Sequence, residues 1–237
     1  MTMRRCLCAL CLLCALCLLC ALLLPARAEE AEKKYVALSF DDGPSGRFTQ
    51  ALLDGLAQRG LHATFFLCGY RVEQYPALAA RIAREGHEIG LHGDSHRFFT
   101  QMSPEEICAD LAAARKKLIA ATGQEPTLLR PPGGLYDLER LKQSSCADLP
   151  VILWSVDPRD WCTDDRQAIA SAVIHGAKNG DIILLHDMSD STVAAVFDIL
   201  DALEEQGYEF VTVSELARLS GTRLRGAEAY FHFDFAK

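Results

Sequence analysis

Outside its first 28 residues the sequence has only four cysteines, Cys68, Cys108, Cys146 and Cys162, with no C-x-x-C pair among them. That excludes a disulfide-dense scaffold and the paired-cysteine zinc and redox motifs. The four allow three pairings if all are oxidised, and burial as small apolar side chains suits them equally. Cys68 and Cys108 fall inside an expected strand and an expected helix, which favours burial for both. Basic residues are also in short supply, 24 Lys and Arg against 32 Asp and Glu, for a formal net charge of −8. A chain this acidic is poorly matched to nucleic acid or to anionic lipid. No internal repeat, low-complexity stretch or linker breaks the sequence after its N-terminal segment. With half of its 237 residues apolar, it reads as one domain with one sizeable core.

The N-terminal segment holds the other cysteines, Cys6, Cys8, Cys11, Cys14, Cys17 and Cys20, as small apolar members of a run from Cys6 to Leu24. Arg4 and Arg5 precede the run and Ala26-Arg27-Ala28 follows it, the layout of a signal peptide with an A-x-A cleavage site. Its length approaches the ~20 residues that span a bilayer, so an uncleaved anchor is the alternative. None of its cysteines follows Gly, Ala or Ser, which argues against lipoprotein processing. Both readings place the domain outside the cytoplasm, secreted or in the cell envelope, with the membrane touched only through residues 1–28. Removing those residues takes away Arg4, Arg5 and Arg27 and no acid, so −8 becomes −11.

From Lys34 short apolar runs alternate with amphipathic stretches, the pattern of βαβ units and a parallel sheet. Strands are expected at 35–40, 63–67, 88–91, 127–130, 151–156, 181–186 and 209–213. The clearest helix opens with Ser103-Pro104-Glu105-Glu106, an N-cap, a first-turn proline and a glutamate at the third position, and runs to Thr122-Gly123. A second runs from Ser191 through Glu205 and stops at Gly207. Seven strands fit either a (β/α) barrel or a doubly wound sheet, and periodicity does not choose. The polar residues do: Asp41, Asp42, His92, His96, Arg130, Asp160 and His186 all fall at or just after expected strand ends, where barrels collect their chemistry. The expected organisation is residues 1–28 as leader, 34–220 as a single catalytic domain, and 221–237 as a tail. The tail's alternating Tyr230-Phe231-His232-Phe233-Asp234-Phe235 suggests a small edge strand or hairpin.

Ser39-Phe40-Asp41-Asp42-Gly43-Pro44 ends the first strand with two adjacent carboxylates. Neighbours at a strand end point apart, so the two acids can serve different partners. In Glu88-Ile89-Gly90-Leu91-His92-Gly93-Asp94-Ser95-His96 the histidines are four apart. If the chain turns helical there, both imidazoles face one side and can share a metal. Two imidazoles and a carboxylate make a three-ligand catalytic set with positions left open, one that favours Zn and tolerates Co, Ni or Mn. Leu129-Arg130-Pro131-Pro132-Gly133-Gly134, Asp157-Pro158-Arg159-Asp160-Trp161 and Leu184-Leu185-His186-Asp187 each follow or end a later strand with a charged group.

In order, S-F-D-D-G-P, H-G-D-S-H, R-P-P-G-G, D-P-R-D-W and L-L-H-D resemble the five signatures of the polysaccharide deacetylase family, the NodB homology domain of carbohydrate esterase family four. The resemblance runs from about Lys34 to Leu219 and includes Ala63-Thr64-Phe65-Phe66, Gly86-His87-Glu88-Ile89-Gly90 and Gly207-Tyr208-Glu209-Phe210. It implies a deformed (β/α) barrel of about seven units. It also implies a metal-dependent hydrolase that removes N-acetyl groups from a peptidoglycan-like or chitin-like polysaccharide or oligosaccharide; a monomer is expected. By motif position, Asp41 resembles the general base, Asp42, His92 and His96 the metal ligands, and His186 the general acid. Arg130 resembles the residue that orients the base and Asp160 the one that holds His186. Trp161 and Leu184 resemble the walls around the acetyl methyl, and Gly133 the backbone oxyanion donor.

Two positions depart from the family pattern: Gly93 stands where Ser or Thr is usual, and Gly133 where an aromatic is usual. They bring into question the rigidity of the metal loop and the floor of the sugar groove. An O-acetyl xylan esterase and a non-catalytic glycan-binding protein are the rival readings.

Overall fold

The computed structural model describes residues 33–144 and 148–235. The segment expected as a leader, its expected cleavage site and Cys146 lie outside the described residues. Strands β1 (Lys34–Asp41), β2 (Thr64–Leu67), β3 (Glu88–Leu91), β4 (Leu128–Leu129), β5 (Val151–Ile152), β6 (Ile182–His186) and β7 (Tyr208–Phe210) are joined by helices, and β8 (Ala229–Tyr230) comes last. All are parallel, in the order β6-β1-β2-β3-β4-β5-β8, with β7 on the first half of β1. One bridge, Val156 to Ile183, brings the chain beyond β5 back to β6, so the sheet curls into a deformed barrel.

The two-residue period of a strand places the site. On β1, Val36, Leu38 and Phe40 face outward and join the large core under the helices. Ala37 faces inward, into a second cluster with Phe66, Leu128, Ile152 and Ile182. Register carries the same parity around the ring, with Asp41 paired to His186 and Phe66, and Gly90 paired to Phe66 and Leu128. Gly90 is required there, because a β-carbon would meet the Phe66 ring at 2.5 Å. Two residues further along β3 and β4, His92 and Arg130 join Asp41 and His186 at the C-terminal ends of the strands. The apolar inner cluster and the ionisable groups above it therefore follow from a single alternation.

Four longer helices cover the outside: α1 (Arg47–Arg59), α4 (Pro104–Thr122), α6 (Arg166–Gly176) and α7 (Asp190–Glu205). The shorter α2 (Gly69–Gln74), α3 (Pro76–Arg84) and α5 (Leu138–Gln143) complete the layer. The capping box at Ser103 and Glu106 starts α4 as its sequence demands, and Gly123 ends it in the left-handed conformation. Helix α8 (Val213–Leu219) instead plugs the barrel floor. Its Val213, Leu216 and Ala217 join the inner cluster, and the tail adds Phe233. The first N–H groups of α8 are taken up by inward side chains, Val213 N–H by Thr64 Oγ1 at 2.9 Å and Ser214 N–H by Glu88 Oε2 at 3.2 Å.

Several elements differ from expectation. β5 stops at Ile152 rather than Val156, because the carbonyls of Ile152 and Leu153 turn to the Arg130 guanidinium. The tail strand is Ala229–Tyr230, parallel to β5, while His232 bridges Asp181. Cys68 is buried and free, but Cys108 is half-buried and disulfide-bonded, so burial is not its role. On α4 the buried face is held by Ile107 and Leu111, which leaves Cys108 at its edge. Among the described residues no helix is long and apolar enough to cross a membrane.

Candidate active site and metal site

Asp42, His92 and His96 each offer one ligand atom, all within 4.8 Å of one another. His92 Nε2 lies 3.2 Å and His96 Nε2 3.0 Å from Asp42 Oδ1. His92 Nδ1 is 2.7 Å from the Arg130 carbonyl, which can only accept, so Nδ1 carries a proton and Nε2 is the ring atom left to hold a metal. That atom faces an Asp42 oxygen that is buried and has no hydrogen-bond partner among the described residues. Three ligand atoms converging on a buried, unpartnered oxygen are what a cation requires, and this set fits a divalent metal.

No helix aligns the two histidines, contrary to the spacing argument. His92 ends β3, and the loop after it turns through left-handed residues, Gly93 at φ 75° and His96 at φ 58°. Asp42 at φ 69° is likewise left-handed, and so is Arg159, just before Asp160. Three of the four described non-glycine residues with positive φ therefore adjoin the site, where strain is held by the surrounding fold. The loop has its own brace. Asp110 of α4 accepts from Asp94 N–H at 2.6 Å, from Ser95 N–H at 3.2 Å and from Ser95 Oγ at 2.6 Å. A β-carbon at Gly93 would stand 2.8 Å from Asp110 Oδ2, so the glycine is what admits this carboxylate. The question raised by Gly93 is answered from a different helix.

Arg130 is completely buried and donates to Asp41 Oδ1 at 2.7 Å, Ser39 Oγ at 2.9 Å, Ile152 O at 3.0 Å and Leu153 O at 2.8 Å. Its guanidinium also lies 4.0 Å over the Phe66 ring. A buried charge satisfied on this many sides is fixed in place and fixes Asp41 in turn. Across the cleft, His186 Nδ1 meets Asp160 Oδ1 at 2.9 Å, while Asp160 Oδ2 accepts from the His186 N–H at 2.7 Å and from Thr192 Oγ1 at 3.1 Å. Burial pushes the imidazolium pKa down, but Asp160, and beyond it Asp41 and Asp42, lift it from 6.5 to about 9.

Below the first loop, Asp187 is fully buried. The Thr49 hydroxyl donates to it in a short bond and accepts from Ser45 N–H at 2.5 Å. Burial raises its carboxyl from 3.8 to about 7, with Asp42 adding to the rise. Gly43 packs directly on it, since a β-carbon there would lie 2.7 Å from Asp187 Oδ1.

Asp41, Asp42, His92, His96, Gly133, Trp161, Leu184 and His186 together line one cleft of about 380 Å³, with Arg130 and Asp160 directly behind it. Trp161 is 59% exposed at the rim, whereas Leu184 is buried in the wall. Pro132 to Gly134 form a tight turn closed by Gly134 N–H to Pro131 O and Leu135 N–H to Pro132 O, neither of which uses the Gly133 N–H. Sequence reasoning missed Ser39, Asp110, Thr192, the Thr49–Asp187 pair, and Phe98 and Trp154 in the cleft wall. Phe98 sits two residues beyond the histidine motif and Asp187 within the last motif, signals that were available. Asp110 gives none.

The family model described as polysaccharide deacetylase matches residues 28–152. A peptidoglycan-N-acetylglucosamine deacetylase of Bacillus cereus is 42% identical over 191 residues, 78% of this chain and 89% of that protein. Among solved structures, a deacetylase designated T48, determined with substrate, superposes with a TM-score of 0.79 at 38% identity, covering 84% of this chain and 96% of that one. A family 4 acetyl xylan esterase from Clostridium thermocellum, in complex with a cobalt ion, superposes at 0.78 with 33% identity, covering 84% and 98%. From its fold, its convergent Asp-His-His set and these likenesses, the chain belongs to the polysaccharide deacetylase family.

Proposed function

We propose that this chain is a metal-dependent deacetylase that removes N-acetyl groups from peptidoglycan or chitin-like sugars. The observation that carries the reading is the convergence of Asp42, His92 and His96, with an unpartnered buried oxygen on Asp42, facing an imidazolium held by Asp160. The Bacillus cereus relative supports the amino-sugar substrate, and the donor set favours zinc, with cobalt, nickel or manganese as substitutes.

Asp42, His92 and His96 would hold the cation. The chemistry it supplies there is Lewis-acid polarisation of a carbonyl and acidification of water, from a pKa of about 15.7 to about 7. Asp41, oriented by Arg130, takes the proton of the attacking water, a step worth roughly 10²–10⁴-fold. The Gly133 N–H donates to the oxygen that gains charge as the carbonyl carbon becomes tetrahedral. His186 then gives its proton to the departing sugar nitrogen, so one water and one amide become acetate and an amine. Leu184 and Trp161 enclose the acetyl methyl. Asp42 and Asp41 are adjacent yet divided in duty, one turned to the two histidines and the other to Arg130.

The deciding experiment is acetate release from N-acetylglucosamine oligomers, peptidoglycan and acetylated xylan by residues 29–237, with chelator and metal add-back. Chelator-sensitive release from an amino sugar, restored by zinc or cobalt, is expected. Release from xylan alone moves the assignment to an O-acetyl esterase, the reading favoured by the likeness to the xylan esterase. No release with no bound metal leaves a glycan-binding protein. We further propose that residues 34–220 form the catalytic domain, that residues 1–28 direct export to the cell envelope, and that the domain acts as a monomer.

A further inference from the structure

The cleft wall beside the histidine ligands is made by a side chain outside every motif. Phe98 follows His96 by two residues, lines the cleft, and sets its ring edge-on to the His96 ring at 6.2 Å. Opposite it the backbone has no side chain to offer. Gly133 is left-handed at φ 63°, and a β-carbon there would stand 3.1 Å from Phe98 Cε1, inside the ~3.5–4.0 Å at which carbons pack. The next residue repeats the device. Gly134 at φ 67° would place a β-carbon 2.7 Å from the Trp154 ring. Two consecutive glycines thus vacate space that two rings enter from other loops. Trp154 is engaged below, 5.5 Å from the Arg130 guanidinium. Phe98 is the ring that stands next to Gly133 and the metal ligands together.

We propose that Phe98 is the sugar-bearing platform of this site, the surface on which the apolar C–H face of the pyranose carrying the scissile acetamide rests. The inference rests on the deacetylase reading and names the residue that recognises the ring rather than one that reacts with it. A pyranose presents C–H bonds on its faces and hydroxyls around its rim. An aromatic face, negative at its centre, meets the C–H bonds, and covering both surfaces removes apolar area from water. Lacking a side chain, Gly133 keeps its N–H beside the reacting carbonyl while the ring comes from the loop after β3.

Phe98 shares a loop with His96, so the test separates sugar binding from metal retention. Kinetics of acetate release from the N-acetylglucosamine tetramer are compared for the zinc-loaded wild type, Phe98→Ala and Phe98→Tyr, with zinc content measured on each. The expected result for Phe98→Ala is a KM raised about tenfold, equal to ~1.4 kcal/mol, with kcat and zinc content within twofold of wild type and KM restored by Phe98→Tyr. An unchanged KM with zinc retained overturns the proposal. Lost zinc, or a fall in kcat as large as the fall in kcat/KM, overturns it too, because Phe98 is then a support of the metal loop. The wild type in the same series keeps the two readings apart. If it releases no acetate, the deacetylase reading fails, and calorimetric binding of the tetramer, weakened about tenfold or not by Phe98→Ala, decides the platform by itself.

Discussion

Replacing Asp160 by Asn tests whether His186 acts as an acid because of its neighbour. The wild-type carboxylate accepts from His186 Nδ1, from the His186 N–H and from Thr192 Oγ1, at 2.9, 2.7 and 3.1 Å. Asparagine keeps the volume and one acceptor oxygen but loses the charge. The lift of the imidazolium from 6.5 to about 9 corresponds to ~3 kcal/mol in favour of the protonated ring. Bound metal offsets the share that comes from Asp42 and leaves that of Asp160, which ranks above it. Without Asp160, burial brings the ring back to 6.5 or below. At pH 7.5 a group of pKa about 9 is ~97% protonated and one of 6.5 only ~9%, so kcat for acetate release falls about tenfold. The alkaline limb of the rate profile moves down with it, and the deficit narrows toward pH 5.5. Stability follows the same proton. A pKa raised on folding contributes fully below 6.5 and is lost as pH rises through about 9, so the apo Asp160→Asn chain lacks that loss between 6.5 and 9. A loss of rate equal at every pH, or an alkaline limb that stays in place while fold and metal are retained, refutes the reasoning.

Asp42→Ala or His92→Ala is expected to lose bound metal along with activity. Asp41→Asn keeps metal and loses activity, since its amide oxygen still accepts from Arg130; elemental analysis beside acetate release checks both, with deamidation excluded by mass. Asp110→Ala removes the acceptor for two loop N–H groups and lowers metal affinity about 10–100-fold, the range for residues that hold ligands in place, with kcat at saturating metal near wild type. A zinc titration superimposable on wild type contradicts this. Asp187, raised from 3.8 to about 7, stabilises the native state fully below 3.8 and loses that contribution as pH rises through about 7. Asp187→Asn keeps the Thr49 bond without the charge, so its Tm falls less between pH 4 and pH 8 than that of wild type; equal falls count against a buried titrating carboxyl.

Strands with apolar residues on both faces and charged ends were legible, because a buried parallel strand has little choice in either respect. Asp41, Asp42, His92 and His186 could be found because each ends or follows such a strand. What the chain order hid was support from a distance. A spacing of four reads as a helical turn, yet His92 and His96 meet through a left-handed loop braced by Asp110, which lies mid-helix with no local mark. The shortening of β5 depends on carbonyls drawn to Arg130, a residue of another strand's end. Glycine at 133 reads as a lost side chain and turns out to be room for Phe98.

The barrel floor has a consequence for the order in which the molecule can be completed. Strand β1 is the first described element, yet its hydrogen-bonded neighbours on one side are β6 and β7, with Ser39 reaching Ile183 across 144 positions. The floor beneath the inner cluster is supplied later still, by α8 and Phe233. A chain emerging from its N-terminus therefore carries every ionisable group of the site before it owns the surface that seals the apolar layer under them. A polypeptide halted short of α8 and Phe233 has a complete set of reactive side chains over an inner cluster that still lacks Val213, Leu216, Ala217 and Phe233.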